Sequence, residues 1–257
     1  MAYIAESQII RINSGSDDTE EGIKGTHTNF TIKLKIAPNN KFTHVALLRA
    51  SIPRSFYIVD EPLNYFTLTE GLTDATITIT PGNYTRKSLI LEVIAQLNAG
   101  SPNGWTYSYT YPNMATQPDT GLYTFSVSGN TSQPSFTFTG RSMTQQLGFA
   151  EATYTFSSDS LTSPYVCNLA GRDNVLYLIS DIAEGAQDSV LGSIITSSTP
   201  TMSYINYINE QVEETSLKWN GTHSSDTFYF KLVDEYKQAV DTKGNNIWFS
   251  LLLYRKR

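Results

Sequence analysis

The chain has 257 residues, a formal net charge of −6 and only 16% charged residues, against roughly 25% in an ordinary soluble domain. The acidic balance argues against a nucleic-acid-binding role, because such proteins carry clustered positive charge. The single cysteine, Cys167, excludes an internal disulfide, and a chain of this length buries a core that needs none. Sixteen tyrosines and abundant Thr, Ser and Asn replace the missing charge, which is typical of β-structure covered by partners.

Short β-type segments separated by turn residues predict strands at the start of the chain. Residues 29–36 alternate apolar and polar side chains, the period of a half-buried strand. Residues 44–51 are apolar nearly throughout, as in a strand covered on both faces. The strands predicted for this part of the chain are 7–13, 29–36, 44–51, 55–59 and 65–69.

A change of rhythm after residue 72 predicts a folded insertion. Residues 75–80 alternate strictly until Pro81–Gly82, and Thr85 is placed to cap a helix from Arg86 to about Asn98 that Gly100 stops. The apolar stripe predicted to be buried consists of Leu89, Ile90, Val93, Ile94 and Leu97. Further strands are predicted at 105–111, 121–128 and 135–139. The β-α-β-β order therefore indicates a small α+β module over residues 73–159.

Sandwich-type strands return after Ser163–Pro164. They are predicted at 175–182, 190–197, 216–219, 226–233 and 247–255, with a hairpin-type connection at 243–246 between the last two. Strands from the two chain ends must then pair around the insertion. We predict an all-β protein, an antiparallel single jelly-roll sandwich formed by residues 1–72 and 160–257, with the α+β insertion at 73–159 containing one helix. An up-and-down barrel fits less well, because its sequence neighbours should also be spatial neighbours.

The histidine, cysteine and serine residues do not show the spacing of known metal-binding or catalytic motifs. Zinc ligands often lie three or four residues apart. No two of the three histidines, His27, His44 and His223, have this spacing, and none has it to Cys167. No Gly-x-Ser-x-Gly elbow, phosphate-binding loop or dinucleotide fingerprint occurs either. A Ser/His/Asp triad is recognised by geometry, so the sequence leaves that alternative open. We predict a non-enzymatic protein with no catalytic residue, no cofactor and no metal.

Three further segments have competing interpretations. Acidic clusters at 17–21 and 210–214 are interpreted as solvated loops, although paired carboxylates also serve glycoside hydrolysis or weak calcium binding. The turn at 80–85 is interpreted as a capped strand-to-helix connection rather than an anion site. The basic end, Arg255 to Arg257, is interpreted as a solvated tail or as a contact with an acidic neighbour.

Five groups of segments occur in one order along most of the chain. They are 7–14 with 28–32; 44–57, containing Ala50-Ser51-Ile52-Pro53; 78–85 with the following helix; 161–164 with 168–171 and 175–179; and 230–234 with 248–251. In this order they resemble the penton or minor capsid proteins of adenovirus-like double-stranded DNA viruses, particularly of virophages and polinton-like viruses. Ala170 and Arg172 depart from that pattern, where a small polar residue and a proline are expected.

The resemblance implies a single jelly roll, five copies at each icosahedral vertex and contacts with a major capsid protein built from two jelly rolls. We therefore expect a structural virion protein that forms a homopentameric ring, contacts the major capsid protein, and neither binds nucleic acid nor inserts into a membrane. The first residues lack the basic and apolar regions of a signal peptide, so we expect synthesis and assembly inside the host cell and a final location in the virion. The alternative is a receptor-binding or fibre-head β-sandwich that recognises a host surface ligand, and a glycan hydrolase on a sandwich is a third reading.

Overall fold

The computed structural model describes residues 4–15, 23–36, 41–110, 118–169, 174–184, 189–196, 199–220 and 226–256. The chain forms two compact units. The first comprises Met1–Phe56 and Asp173–Arg257, and the second comprises Tyr57–Arg172. The inserted unit is therefore wider than the predicted 73–159. The strand predicted at 65–69 pairs within that unit and not with strands of the jelly roll.

The first part of the jelly-roll unit contains two ten-residue strands and two shorter ones. In chain order they are β1 (Ile4–Asn13), β2 (Lys24–Thr26), β3 (Asn29–Lys33) and β4 (His44–Pro53). The strand predicted at 55–59 does not form; only Val59 makes an isolated bridge, with Gly82. The physical reason is local, since the Ile58 N–H donates to Asn83 Oδ1 at 3.1 Å and not to a neighbouring strand.

The inserted unit contains the main helix and seven strands of the described chain. Its elements are β5 (Tyr65–Glu70), β6 (Thr73–Thr78), α1 (Arg86–Gly100), β7 (Thr106–Thr110), β8 (Thr124–Ser128), β9 (Ser135–Thr137), α2 (Thr144–Leu147), β10 (Thr153–Thr155) and β11 (Ser160–Thr162). The strands form two antiparallel sheets, in the orders β10-β9-β5-β6 and β11-β8-β7.

The second part of the jelly-roll unit returns to longer strands. Its elements are β12 (Val175–Ser180), β13 (Ser189–Ile195), β14 (Tyr204–Ile208), α3 (Val212–Thr215), β15 (Leu217–Lys218), β16 (Thr227–Val233) and β17 (Trp248–Lys256). Within the described residues, no helix of either unit is long and apolar enough to cross a membrane.

The strand order of the first unit is that of a jelly roll. One sheet has the order β1-β17-β4-β14 and the other β13-β12-β16-β3, with the short β2 beside β3 and β15 beside β4. Apart from the paired strands β12 and β13, consecutive long strands of this unit alternate between the two sheets, in the way that two Greek keys require. The chain ends meet in one antiparallel pair, in which Ile12 lies opposite Phe249 and Ile10 opposite Leu251. The predicted antiparallel jelly roll, with its ends paired around an insertion, is confirmed.

Aromatic rings join the two sheets of the sandwich. Phe30 and Phe230 lie on adjacent strands of one sheet with ring centroids 5.9 Å apart, and Phe249 of the other sheet lies 5.1 Å from Phe230. All three side chains are buried. Such pairs contribute about 0.5–1.5 kcal/mol each beyond the burial of their area.

Helix α1 begins as its sequence predicts. The Ser88 N–H donates to Thr85 Oγ1 at 3.1 Å and the Thr85 N–H to Ser88 Oγ at 2.9 Å, so a reciprocal capping box satisfies the first turn. Four residues of the predicted stripe are buried and the fifth, Ile94, packs partly buried against the same core. That core also contains Phe66, Phe125, Phe136 and Phe138.

Two predictions are wrong: how helix α1 ends, and how the last two strands are connected. Gly100 is not a left-handed stop after the helix: it is the last residue of α1, and the cap residue Ser101 has an extended backbone. A Cβ on Gly100 would lie 2.8 Å from Ile77 Cδ1, so the glycine serves close packing against β6. The connection at 243–246 does not join a hairpin either, because β16 and β17 belong to different sheets. It contains a left-handed turn at Lys243 and Gly244.

Candidate assembly surfaces

The histidines and the cysteine do not converge on a site. His27 Nδ1 lies 2.6 Å from Asn246 Oδ1 at the surface. His44 stacks on Tyr254 with ring centroids 5.5 Å apart. Burial, and then the charges of two nearby lysines, lower its pKa below 6.5. Cys167 is half-buried and packs against the inserted unit's core.

The acidic clusters also give no site that the structure shows. Residues 17–21 and His223 lie outside the described residues. The second cluster surrounds α3, where Glu210, Glu213 and Glu214 are all exposed. Across the described part of the chain, no three His, Cys, Asp or Glu side chains gather closely enough to hold a metal ion.

The turn at 80–85 is occupied by its own hydrogen bonds. Thr80 Oγ1 donates to Glu92 Oε1 at 2.6 Å, and the Tyr84 hydroxyl donates to the Thr80 carbonyl at 2.6 Å. The bond from Thr80 is the main reason that the pKa of Glu92 is lowered. Together with the capping box at Thr85, these contacts explain the turn without a ligand.

A buried carboxyl in the inserted unit was not predicted. Glu70, at the end of β5, accepts hydrogen bonds from Ser101 Oγ at 2.7 Å, from the Tyr107 hydroxyl at 2.8 Å and from the Asn103 N–H at 2.8 Å. The Trp105 N–H in turn donates to Ser101 Oγ at 2.7 Å. Burial, followed by the contact with Glu70, raises the pKa of Tyr107. This network is internal, and it fixes the chain between α1 and β7.

The outer face of the sheet β1-β17-β4-β14 is apolar and basic. Trp248 of β17 is 48% exposed on this face, and Arg11 and Arg49 lie on the neighbouring strands one row away. Tyr204 and Ile208 of β14 continue the face and are each 62% exposed. We call this surface the tryptophan face, defined by Ile9, Arg11, Arg49, Tyr204, Ile208 and Trp248.

The outer face of the other sheet carries a shallow apolar groove. Val190 and Ile195 of β13 are 45% and 66% exposed, and their partners on β12 face the same way. Beside them lies a groove of about 170 Å³, lined by Tyr177, Ile179, Val190, Val233 and the turn residues Asp234, Glu235 and Lys237. The turn is closed by hydrogen bonds, since Asp234 Oδ1 accepts from the backbone N–H groups of Tyr236 and Gln238, both at 2.8 Å. We call this surface, with Ile195, the groove face.

A larger groove runs along the edge of the sandwich where β1 borders one sheet. Its volume is about 430 Å³, and it is lined by Gln8–Asn13, Ile32–Lys35 and Trp248. Gln8 Nε2 donates to the Lys35 carbonyl at 2.8 Å. We call this feature the edge groove.

Arg255 and Lys256, of the basic C-terminal segment, belong to strand β17. Lys256 pairs with Ile4 in the last register position of β17, and its N–H donates to Thr43 Oγ1 at 3.1 Å. The side chains of Arg255 and Lys256 are exposed. Arg257 lies outside the described residues.

No family model matches the chain, and no curated protein matches its sequence. Solved structures are similar in fold. The crystal structure of the penton protein of mavirus matches 98% of this chain and 100% of its own, with a TM-score of 0.52 and 9% sequence identity. The cryo-EM structure of the Sputnik virophage at 3.5 Å includes a chain that matches 97% of this one and 98% of its own, with a TM-score of 0.41 and 10% identity. At the level of the fold, the predicted resemblance to a virophage penton protein is confirmed.

Proposed function

We propose that this chain is a structural virion protein, a penton or closely related minor capsid component, that assembles as a homopentameric ring. One observation carries the proposal: large apolar side chains are exposed on both outer faces of a jelly roll whose fold is that of a penton protein. In this role the protein acts by contact alone, and we assign it no catalytic residue, cofactor or metal.

A ring requires two different surfaces on each subunit. Its interface is heterologous, so one surface of a subunit meets another surface of its neighbour. The tryptophan face and the groove face lie on opposite sides of one sandwich, which supplies such a pair. Interface cores are enriched in aromatic residues and arginine, and the tryptophan face carries Trp248, Tyr204, Arg11 and Arg49.

The partners in the particle follow from the same role. We propose that the ring contacts the major capsid protein of the same virus and that the N-terminal segment before Asn29 makes part of that contact, since chain ends are often ordered only by a partner. Deleting residues 1–6 should spare folding, because a register shift between Ile4 and Ser7 already interrupts the pairing there. The deletion should reduce incorporation into particles, measured as the amount of protein in purified virions.

The test of the ring is the mass of the purified protein in solution. We expect five chain masses for the unchanged protein, and lower masses for Ile195→Asp and Ile208→Asp, which each place a charge on one of the two faces. Leu72→Asp is the matched control, because Leu72 is fully exposed in the inserted unit. A monomer at high concentration overturns the proposal. A trimer overturns it in favour of a fibre-head protein.

A further inference from the structure

The turn between α1 and β7 contains an asparagine followed by a glycine. Residues 101–104 form this turn, which is closed by a hydrogen bond of 3.3 Å from the Gly104 N–H to the Ser101 carbonyl. The side chain of Asn103 is exposed, and so is Gly104. A Cβ on Gly104 would meet no atom within 4 Å, so no other element packs against the glycine.

An Asn–Gly pair can lose ammonia without an enzyme. The backbone nitrogen of the glycine attacks the asparagine Cγ and forms a C–N bond, while the Cγ–Nδ2 bond breaks. The amide group leaves as ammonia and takes the proton of the glycine N–H with it. Water then opens the succinimide ring to aspartate or isoaspartate, so solvent is the one co-reactant. Glycine favours the attack, because it has no Cβ beside its nitrogen and few limits on its backbone angles.

Hydrogen bonds in the folded chain hold the two reacting groups in other directions. Asn103 Nδ2 donates to the Glu70 carbonyl at 3.1 Å, and the Asn103 N–H donates to Glu70 Oε2 at 2.8 Å. The Gly104 N–H, whose nitrogen would attack, donates to the Ser101 carbonyl. The Asn103 side chain must turn toward the Gly104 nitrogen before the ring can close, so the turn must first open.

Glu70 also anchors the chain on both sides of the pair. Ser101 Oγ donates to Glu70 Oε1 at 2.7 Å and accepts from the Trp105 N–H at 2.7 Å. The Tyr107 hydroxyl donates to the same carboxylate oxygen at 2.8 Å. Glu70 is fully buried, so water competes little for these bonds. One buried side chain therefore controls how often the turn opens.

We propose that Asn103 is a site of spontaneous deamidation and that Glu70 keeps the rate of this reaction low in the folded chain. Two hydrogen bonds of ordinary strength reduce the population of the open turn by a factor of about ten or more, and the rate falls with that population. The site belongs to the inserted unit, and the modification occurs whether or not the chain forms a ring.

The product of the reaction acts against the network that slowed it. An aspartate at position 103 has no donor for the Glu70 carbonyl, since an ionised carboxylate only accepts hydrogen bonds. It also places a second negative charge close to the buried Glu70 carboxylate. Deamidation therefore loosens the turn and lowers the stability of the inserted unit.

The test of the site compares the folded chain with the chain in urea, incubated at pH 8 and 37 °C and analysed by peptide mass spectrometry. Asn220 with Gly221 is the second Asn–Gly pair of the sequence, and in urea it is the internal reference. We expect Asn103 to react about tenfold or more slowly in the folded chain than in urea. Equal rates in the two conditions overturn the inference, as does an Asn103 that stays unchanged in urea while Asn220 reacts.

Two variants loosen the turn by different amounts. Glu70→Ala removes the acceptor of the Asn103 N–H and of Ser101 Oγ, and should speed deamidation of the folded chain about tenfold. Ser101→Ala removes one anchor and should speed it about fivefold, which keeps the test valid if Glu70→Ala does not fold. Unchanged rates in the folded variants overturn the inference.

Val93→Ala is the matched control. It removes packing from the buried face of α1 in the same unit and leaves the bonds of the turn in place, so the rate should change less than about twofold. If Val93→Ala speeds the reaction as much as Ser101→Ala, unfolding of the whole unit controls deamidation, and the inference is overturned.

Asn103→Asp reproduces one product of the reaction. Its unfolding midpoint should lie below that of Asn103→Ala, because alanine only removes the donor to the Glu70 carbonyl, whereas aspartate also adds like charge. A midpoint for Asn103→Asp at or above that of Asn103→Ala overturns the proposed effect of the modification on the inserted unit.

Discussion

The buried carboxyl of Glu70 gives the sharpest stability prediction. Glu70→Ala removes the acceptor for three donors: the hydroxyls of Ser101 and Tyr107 and the N–H of Asn103. Leaving a buried donor without a partner costs about 1–3 kcal/mol. Because hydroxyls can rotate and water can enter the space that the side chain vacates, we take the lower part of that range for each donor. The expected loss of stability is about 3–4 kcal/mol.

The assay is thermal unfolding, combined with hydrogen exchange measured on peptides of the inserted unit. For a unit the size of Tyr57–Arg172, this loss should lower the unfolding midpoint by roughly 15 °C. Glu92→Ala is the comparison: Glu92 is half-buried, but its hydrogen bonds from Thr80 lie at the surface, and alanine is favourable in a helix, so the expected change is about 1 kcal/mol.

Glu70→Gln provides a graded test of the same reasoning. The amide keeps one acceptor oxygen for the Asn103 N–H, and the two hydroxyls can rotate to accept from its NH₂ group. We expect roughly half the loss seen with alanine. If Glu70→Ala unfolds at the same temperature as Glu92→Ala, the carboxyl does not hold the chain between α1 and β7, and the reasoning is refuted.

Three further predictions concern single positions. Val93→Asp places an unpaired charge against the buried face of α1 and should lower the free energy of unfolding by several kcal/mol, while Leu91→Asp, at a position 48% exposed, should change it by less than about 1 kcal/mol in urea titrations. Gly148→Ala should greatly reduce soluble yield and stability, because a Cβ there would overlap a backbone carbonyl oxygen; Gly104→Ala has the same left-handed backbone with open space, so a loss of only about 1 kcal/mol is expected. The lowered pKa of His44 means that the unfolded chain binds its proton more readily, so the stability that this residue contributes is present above pH 6.5 and decreases as the pH falls below that value. His44→Gln should therefore show a smaller fall in urea midpoint than the unchanged protein between pH 7.5 and 5.5, and equal falls would contradict the assignment.

The parts of the fold that the sequence predicts are those with local signals. Helix α1 has its cap at Thr85, its apolar stripe and no competing pattern, so only its end at Gly100 was predicted wrongly. Gly100 packs closely against Ile77, which is distant in sequence, so the reason for a glycine there has no local signal. The jelly roll was predicted because apolar alternation at both chain ends required partners across the insertion.

Strand β14 was missed for a reason linked to the proposed function. Its sequence, Tyr204 to Ile208, has apolar residues on both faces, because only Ile205 is buried while Tyr204 and Ile208 are exposed. A strand that is apolar on its solvent side loses the alternation by which a half-buried strand is recognised. Tyr204 and Ile208, which obscure the alternating pattern of β14, are therefore also residues of the tryptophan face.

The candidate surfaces and the Glu70 network need the register of the strands. Glu70 is 31 to 37 residues from the side chains that it binds, and no spacing in the sequence connects them. Arg11 and Arg49 become neighbours of Trp248 only through the pairing of β1 and β4 with β17. The composition indicated that charged residues are scarce, but it did not indicate which parts of the surface lack them.

The placement of exposed apolar side chains favours a ring over a simple dimer. A twofold dimer uses the same surface on both subunits, so it would cover one face of the sandwich and leave the other in water. Here Trp248, Tyr204 and Ile208 lie on one face and Val190 and Ile195 on the opposite face, each at least 45% exposed. Large apolar patches are rare on monomeric proteins, and two of them on opposite sides would give each subunit of the proposed ring two neighbours. Contacts of this kind that close at a fixed rotation would form the ring that we propose.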